Sequence, residues 1–125
     1  IRTWGQVVGI DPLPGAEAEV LAALVGEHRG YACWPRESVP ARHRYGRHPR
    51  VPRIVCLADV GWTVVPDTDA AARIRAGGAH GYDPAHPSMH ALFIAHGPAF
   101  RRAASVPRLE AREVYHVLTG ALGIP

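Results

Sequence analysis

TWGQVVGIDPLPGAEAEVLAALVG, residues 3–26, is the stretch whose reading decides the fold. Its first eight positions favour β-branched and aromatic types and stop at Asp11-Pro12-Leu13-Pro14-Gly15. The prolines there cannot donate to a ladder, so a strand must end and a turn begin. Beyond the turn, Val20, Leu21, Leu24 and Val25 share one helical face, with Glu17 and Glu19 near the positive end of the helix dipole. The spacing therefore predicts a strand over 3–10, a turn, and a helix over 16–26.

Outward from this unit, residues 31–34 form a short apolar stretch, 35–53 are rich in Arg and Pro, and 54–59 and 62–65 read as two strands separated by a turn. Residues 67–76 suit a helical turn or a loop, ended by Gly77-Gly78. A loop over 80–88 leads to 91–95, read as a short buried strand. Val114, Tyr115, Val117, Leu118, Ala121 and Leu122 recur at helical spacing before Gly123 and Pro125, where a helix should stop. The order β-α-β-β-β-loop-β-α predicts an α/β fold of mixed strands with flanking helices. No repeat or low-complexity linker divides it, so residues 1–125 are expected to form a single domain piece.

Composition bounds the function classes. With 47% hydrophobic and 20% charged residues in 125, the chain can bury a core, which excludes disorder throughout. It has no apolar run of about 18 residues or more, so no membrane-spanning helix is expected, and its first residues lack the layout of a signal peptide. All 14 basic residues are Arg, against 11 acidic ones, a formal charge of +3 that permits a polyanionic partner without requiring one. Cys33 and Cys56 are too few for a disulfide framework or a CxxC zinc site. They are either buried thiols, the favoured reading, or one bridge.

Among residues able to carry chemistry, Gly78-Ala79-His80-Gly81-Tyr82-Asp83 stands out, because flanking glycines let a tight loop present an imidazole to a ligand or metal. His86 and His90 have the four-residue spacing of zinc ligands on a helix, but Pro87 suits a first helical turn and would leave His86 ahead of the helix. His43 and His48 belong to the Arg-rich stretch, and His28, His96 and His116 have no acidic or thiol company in sequence, so no role is assigned to any of these five. Seven Arg lie between Arg29 and Arg53 against one acid, Glu37. Arg42, Arg44, Arg47 and Arg50 could meet phosphates there, with Tyr31, Trp34 and Tyr45 as stacking surfaces. Prolines break that stretch into loops, so nucleic acid is the disfavoured partner. There is no GxSxG elbow, Walker loop or HExxH, and no Ser or Thr sits in a nucleophile's context.

Taken together, GAHGYDPAHPSMHALFIAHGPAF (78–100) and VPRLEAREVYHVLTGALGIP (106–125) resemble the end of the catalytic domain of the nucleotide pyrophosphatase/phosphodiesterase family, in the alkaline phosphatase superfamily. The family pattern is a G-x-HG-(Y/F)-DN loop, a Met, an apolar strand ending in a GP-x-F turn, and a closing helix. Upstream, residues 41–45 (ARHRY), Arg50-Val51 and Gly61-Trp62 agree with it. The resemblance implies the C-terminal portion of an alkaline-phosphatase-like α/β/α core. It also implies an enzyme with two zinc ions that cleaves phosphodiester or pyrophosphate bonds of nucleotides through a covalent phospho-Thr. Two cations can stabilise the attacking and leaving oxygens of an in-line displacement.

In that scheme His80 is a zinc ligand, while Gly81, Tyr82 and Asp83 shape the loop and orient it. Pro84 departs from the family's Asn. The nucleophile and the other ligands, several Asp and two His, belong to family sequence that would precede Ile1. A single His cannot satisfy a zinc ion that takes four ligands, so this chain alone is expected to be inactive without that N-terminal part. Relatives are usually exported, which leads to a periplasmic or extracellular expectation. The alternative is an autonomous, non-catalytic polyanion-binding domain that uses the 29–53 segment.

Overall fold

The structure, a computed structural model, describes residues 1–46, 48–75 and 77–125. Its regular elements are β1 (Val7–Ile10), α1 (Glu17–Leu24), β2 (Gly26–His28), β3 (Tyr31–Pro35), β4 (Ile54–Ala58), α2 (Thr68–Arg73) and α3 (Val114–Leu122). Two compact units contain them, Ile1–His90 with the sheet, α1 and α2, and Ala91–Pro125 with α3. The fold is α/β, and its four strands lie in the order β1-β4-β3-β2 with every neighbouring pair antiparallel.

Register explains the core. Val8 faces Cys56, which faces Cys33, and Ile54 shares their parity on β4. Because side chains alternate along a strand, these four lie on one face and are buried together. Helix α1 packs Val20 and Leu24 against them, whereas Leu21 and Val25, expected on the same stripe, are exposed. Leu21 is about 100° round the helix from Val20, and Val25 lies beyond its last residue in an extended conformation.

Cys33 and Cys56 stand opposite each other across β3 and β4, with Cα atoms 4.0 Å apart, and form a disulfide. Of the two readings that the sequence left open, the bridged one holds. Antiparallel pairing, which no local signal reveals, is what brings together residues 23 apart in the chain.

Other expectations need correction. β2 was not expected, since its Gly-Glu-His sequence has no strand periodicity; it forms by pairing with β3 across a turn at Gly30. That glycine is required, because its φ is +91° and a Cβ there would stand 2.3 Å from Cδ2 of Trp62. The strand expected over 62–65 reduces to a single bridge, Gly5 to Val64, as Trp62 is turned onto Gly30 and Pro66 follows at once. Residues 91–95 are irregular, with Leu92 and Ile94 exposed. An apolar run becomes a strand only beside a partner, and none of the described strands pairs with it. By contrast, α2 starts where the Asp67 carboxylate accepts the Ala70 N–H at 2.7 Å, and α3 covers the expected residues and ends at Gly123 with φ +66°.

Candidate functional site

The loop that carries His80 is anchored on the C-terminal side of an exposed imidazole. His80 is solvent-exposed, while Tyr82, two residues on, is buried at 7% exposure. Between them Gly81 has φ +95°, and its α-carbon lies so close to the approach to β1 that a Cβ would meet that of Gln6 at 3.6 Å. Gln6 is itself tied by a hydrogen bond from Nε2 to Thr63 Oγ1 at 3.2 Å.

Asp83 uses both carboxylate oxygens. Oδ1 accepts the Ala85 N–H at 2.9 Å, and Oδ2 forms an ion pair with Nη1 of Arg42, 41 residues earlier. The Arg42 hydrogen bond holds the Asp83 carboxyl below the usual carboxylate range, against the opposing effect of partial burial. The Asp83 carbonyl then accepts the His86 N–H at 3.0 Å, and His86 caps a 3-10 turn over Pro87–Met89. Its Nδ1 meets Ser88 Oγ at 2.8 Å and the Ser88 N–H at 3.2 Å. His86 thus precedes the helical turn, as Pro87 indicated, and serves as a local cap.

The loop closes over the sheet face opposite the disulfide. Ala32 and Trp34 of β3 and Leu57 of β4 line a cavity of about 450 Å³ there, together with Arg42, Asp83 and His86. Beside it, the His43 ring lies 5.7 Å from the Trp34 ring, and its Nε2 is buried without a hydrogen-bond partner among the described residues. Burial first, then the Arg42 charge, pushes the His43 pKa below its ordinary value, with Asp83 pulling the other way.

The Arg-rich segment is less free than its composition suggests. Arg36 pairs with Glu37 at 3.0 Å and donates to the Val51 carbonyl at 2.9 Å; Arg53 pairs with Glu17 at 3.4 Å. Arg42 pairs with Asp83, and Arg29 lies 5.8 Å from the Trp62 ring centre. Glu17 and Asp83 come from outside the segment, so its local charge excess is partly offset in three dimensions. Arg44 closes a 3-10 turn in a left-handed conformation, Arg50 lies on the exposed surface, and Arg47 falls outside the described residues.

An exposed imidazole on a glycine-flanked loop is a donor of the type zinc takes. His80 fits one ligand position, but among the described residues no group of three or more His, Cys, Asp or Glu side chains converges to hold a metal ion. His86 and His90 do not complete a site with it. The feature that sequence reasoning missed is the Arg42–Asp83 pair. Its only trace in sequence is an acid inside the HGYD motif and an excess of Arg elsewhere, with nothing to match the two.

The family model described as type I phosphodiesterase / nucleotide pyrophosphatase matches residues 1–83, which includes the His80 loop. Human ectonucleotide pyrophosphatase/phosphodiesterase family member 5 is 35% identical over 118 residues, covering 94% of this chain and 24% of that protein. The human bis(5'-adenosyl)-triphosphatase ENPP4 is 34% identical over 89 residues, 71% of this chain and 19% of that protein. Bovine ectonucleotide pyrophosphatase/phosphodiesterase family member 3 is 35% identical over 86 residues, 69% of this chain and 10% of its own length. The chain therefore spans about a quarter or less of these relatives. With the model covering the sheet and the His80 loop, and a 118-residue match carrying the likeness through most of the remainder, the chain belongs to the type I phosphodiesterase/nucleotide pyrophosphatase family.

Proposed function

We propose that these 125 residues are one C-terminal portion of the catalytic domain of a zinc-dependent hydrolase that cleaves phosphodiester or pyrophosphate bonds of nucleotides. The observation that carries this reading is the family match extending through residues 1–83, which includes an exposed His80 in a glycine-flanked loop. On this reading His80 donates one imidazole nitrogen to one of two zinc ions, and the nucleophilic Thr with the other ligands precedes Ile1. Bound zinc supplies electrostatic stabilisation of the oxygens around phosphorus during in-line displacement.

This chain's own residues then have definite tasks. His80, exposed, offers a nitrogen lone pair. Gly81 allows the backbone to turn at φ +95°, buried Tyr82 pins the loop, and Asp83 sets its exit through Arg42 and Ala85. The Cys33–Cys56 bridge in the core favours maturation in an oxidising compartment, which supports a periplasmic or extracellular location.

The test uses the full-length protein with a nucleoside 5'-monophosphate nitrophenyl ester and with nitrophenyl phosphate. Hydrolysis of the diester with release of a nucleoside monophosphate, well above monoester turnover, is expected. A protein inert toward the diester, or one faster on the monoester, contradicts the proposal.

A further inference from the structure

Most acidic side chains of this arginine-rich chain are engaged. Asp11 is paired with Arg2, Glu17 with Arg53, Glu37 with Arg36 and Asp83 with Arg42, while Asp67 and Glu113 accept backbone N–H groups. Glu27 and Asp59 are among the exceptions, since neither carboxylate has an ion pair or a hydrogen bond among the described residues. Both line the cavity of about 450 Å³ on the sheet face opposite the disulfide.

Register builds that cavity around Ala32. Glu27 of β2 stands opposite Ala32 of β3, and Ala32 stands opposite Leu57 of β4. Trp34 and Asp59 lie two residues along from Ala32 and Leu57, so all five side chains share one face. Strands β2 and β4 flank β3 and lie roughly 10 Å apart, which puts the two carboxylates on opposite sides of a small alanine floor. Asp59 is held in place by its backbone, whose N–H donates to the Gly30 carbonyl at 2.8 Å and whose carbonyl accepts the Trp62 N–H at 2.9 Å.

The one guanidinium on the cavity, that of Arg42, is neutralised by Asp83, which leaves Glu27 and Asp59 uncompensated although the chain as a whole carries a formal +3. Negative charge beside the Trp34 indole and the Leu57 side chain suits a cation with an apolar body. A bare metal ion suits it less, because among the described residues no third His, Cys, Asp or Glu converges with these two carboxylates. We propose that this cavity is a binding site for a small organic cation, an ammonium carried on an aromatic or aliphatic body. The ammonium lies between Glu27 and Asp59, and its body lies on Trp34 and Leu57. None of these residues belongs to the proposed metal site, so the inference stands apart from the zinc role of His80.

The experiment titrates the full-length protein, at low salt, with phenethylammonium, with neutral phenethyl alcohol and with anionic hydrocinnamate, followed by ligand-observed NMR. The parent is compared with Glu27→Gln, Asp59→Asn, their double variant and Trp34→Leu, with melting temperatures alongside. Binding of the cation in preference to both other probes is expected. Each single carboxylate change should weaken it by up to about fivefold, and the double variant by about 10-fold or more. Trp34→Leu should weaken it by roughly 2–5-fold, and added salt should weaken it in the parent. Glu27 and Asp59 are exposed, so their variants should melt with the parent.

Failure of the full-length protein to bind the cation at millimolar concentration overturns the proposal. Equal binding of the alcohol overturns it, as does cation binding that the double carboxylate variant leaves unchanged. Losses that only follow a fall in melting temperature overturn it too.

Discussion

A β-carbon at Gly30 would stand inside the Trp62 indole, 2.3 Å from Cδ2, on a backbone already at φ +91°. Gly30→Ala must therefore move the ring or the β2–β3 turn and also bear a left-handed alanine. It should destabilise the protein by about 2–4 kcal/mol, read from the urea midpoint. Adding Trp62→Ala should recover the steric part of that loss. Two titrating residues each lower stability on acidification, in separate pH ranges. Asp83 is held below the ordinary 3.8 by Arg42, so on acidification the unfolded chain takes up that proton first. Its stabilising contribution is complete above 3.8 and is lost as pH falls through the lower folded value; Asp83→Asn should lose this acid dependence.

His43 is held below the ordinary 6.5, chiefly by burial beside Trp34 and then by Arg42, against the pull of Asp83. The fold disfavours its charged form, so its contribution is complete above 6.5 and declines as pH falls from there toward the folded value. Thermal melts of His43→Gln should accordingly show a smaller drop between pH 7.5 and 5.5 than the parent. A drop equal to the parent's means that folding does not alter proton uptake by this imidazole, which contradicts the lowered value. Residue roles were unevenly legible in sequence. His86 as a cap followed from Pro87, whereas His43 had no acidic neighbour in sequence and acquires Asp83 only through the fold.

Elements that carry apolar periodicity or turn chemistry of their own were legible, even where the partner strand is distant, and β2, which carries neither, was not. Residues 3–26 announced β1 and α1 because apolar periodicity and turn chemistry are local quantities. β2 has no such signal and exists because β3 lies beside it, while 91–95 has the signal without a described strand to pair with. The disulfide is another long-range product of register, joining neighbouring strands at positions where both cysteines are buried. Cys33→Ala/Cys56→Ala, or reduction without heating, should lower stability by about 3 kcal/mol for a loop of this size, measured by urea unfolding with and without reductant. No change on reduction, together with two alkylatable thiols in the native protein, would show that the bridge does not form. Ile54→Ala, at a fully buried position in β4, should cost about 2–5 kcal/mol in the same assay.

For the molecule as a whole, charge and family point in one direction. Four of the arginines between Arg29 and Arg53 are engaged by Trp62, Glu37, Asp83 and Glu17, which weakens the polyanion-binding alternative relative to its compositional appeal. Family membership was legible because HGYD and its neighbours form a dense local motif. A metal site is not legible in this way, since one is assembled from distant segments, and among the described residues no group of three or more His, Cys, Asp or Glu side chains converges. The 125-residue chain alone should accordingly show no tight zinc binding and no diester hydrolysis.

The most direct test of the zinc-hydrolase reading is the zinc content per chain of the full-length protein, determined for the parent and for His80→Ala with diester hydrolysis assayed on the same samples. Two zinc ions are expected in the parent, with a reduced content and a large fall in hydrolysis in His80→Ala, as loss of a metal ligand removes stabilisation that the reaction depends on. A His80→Ala protein that retains both its zinc and its activity would contradict it.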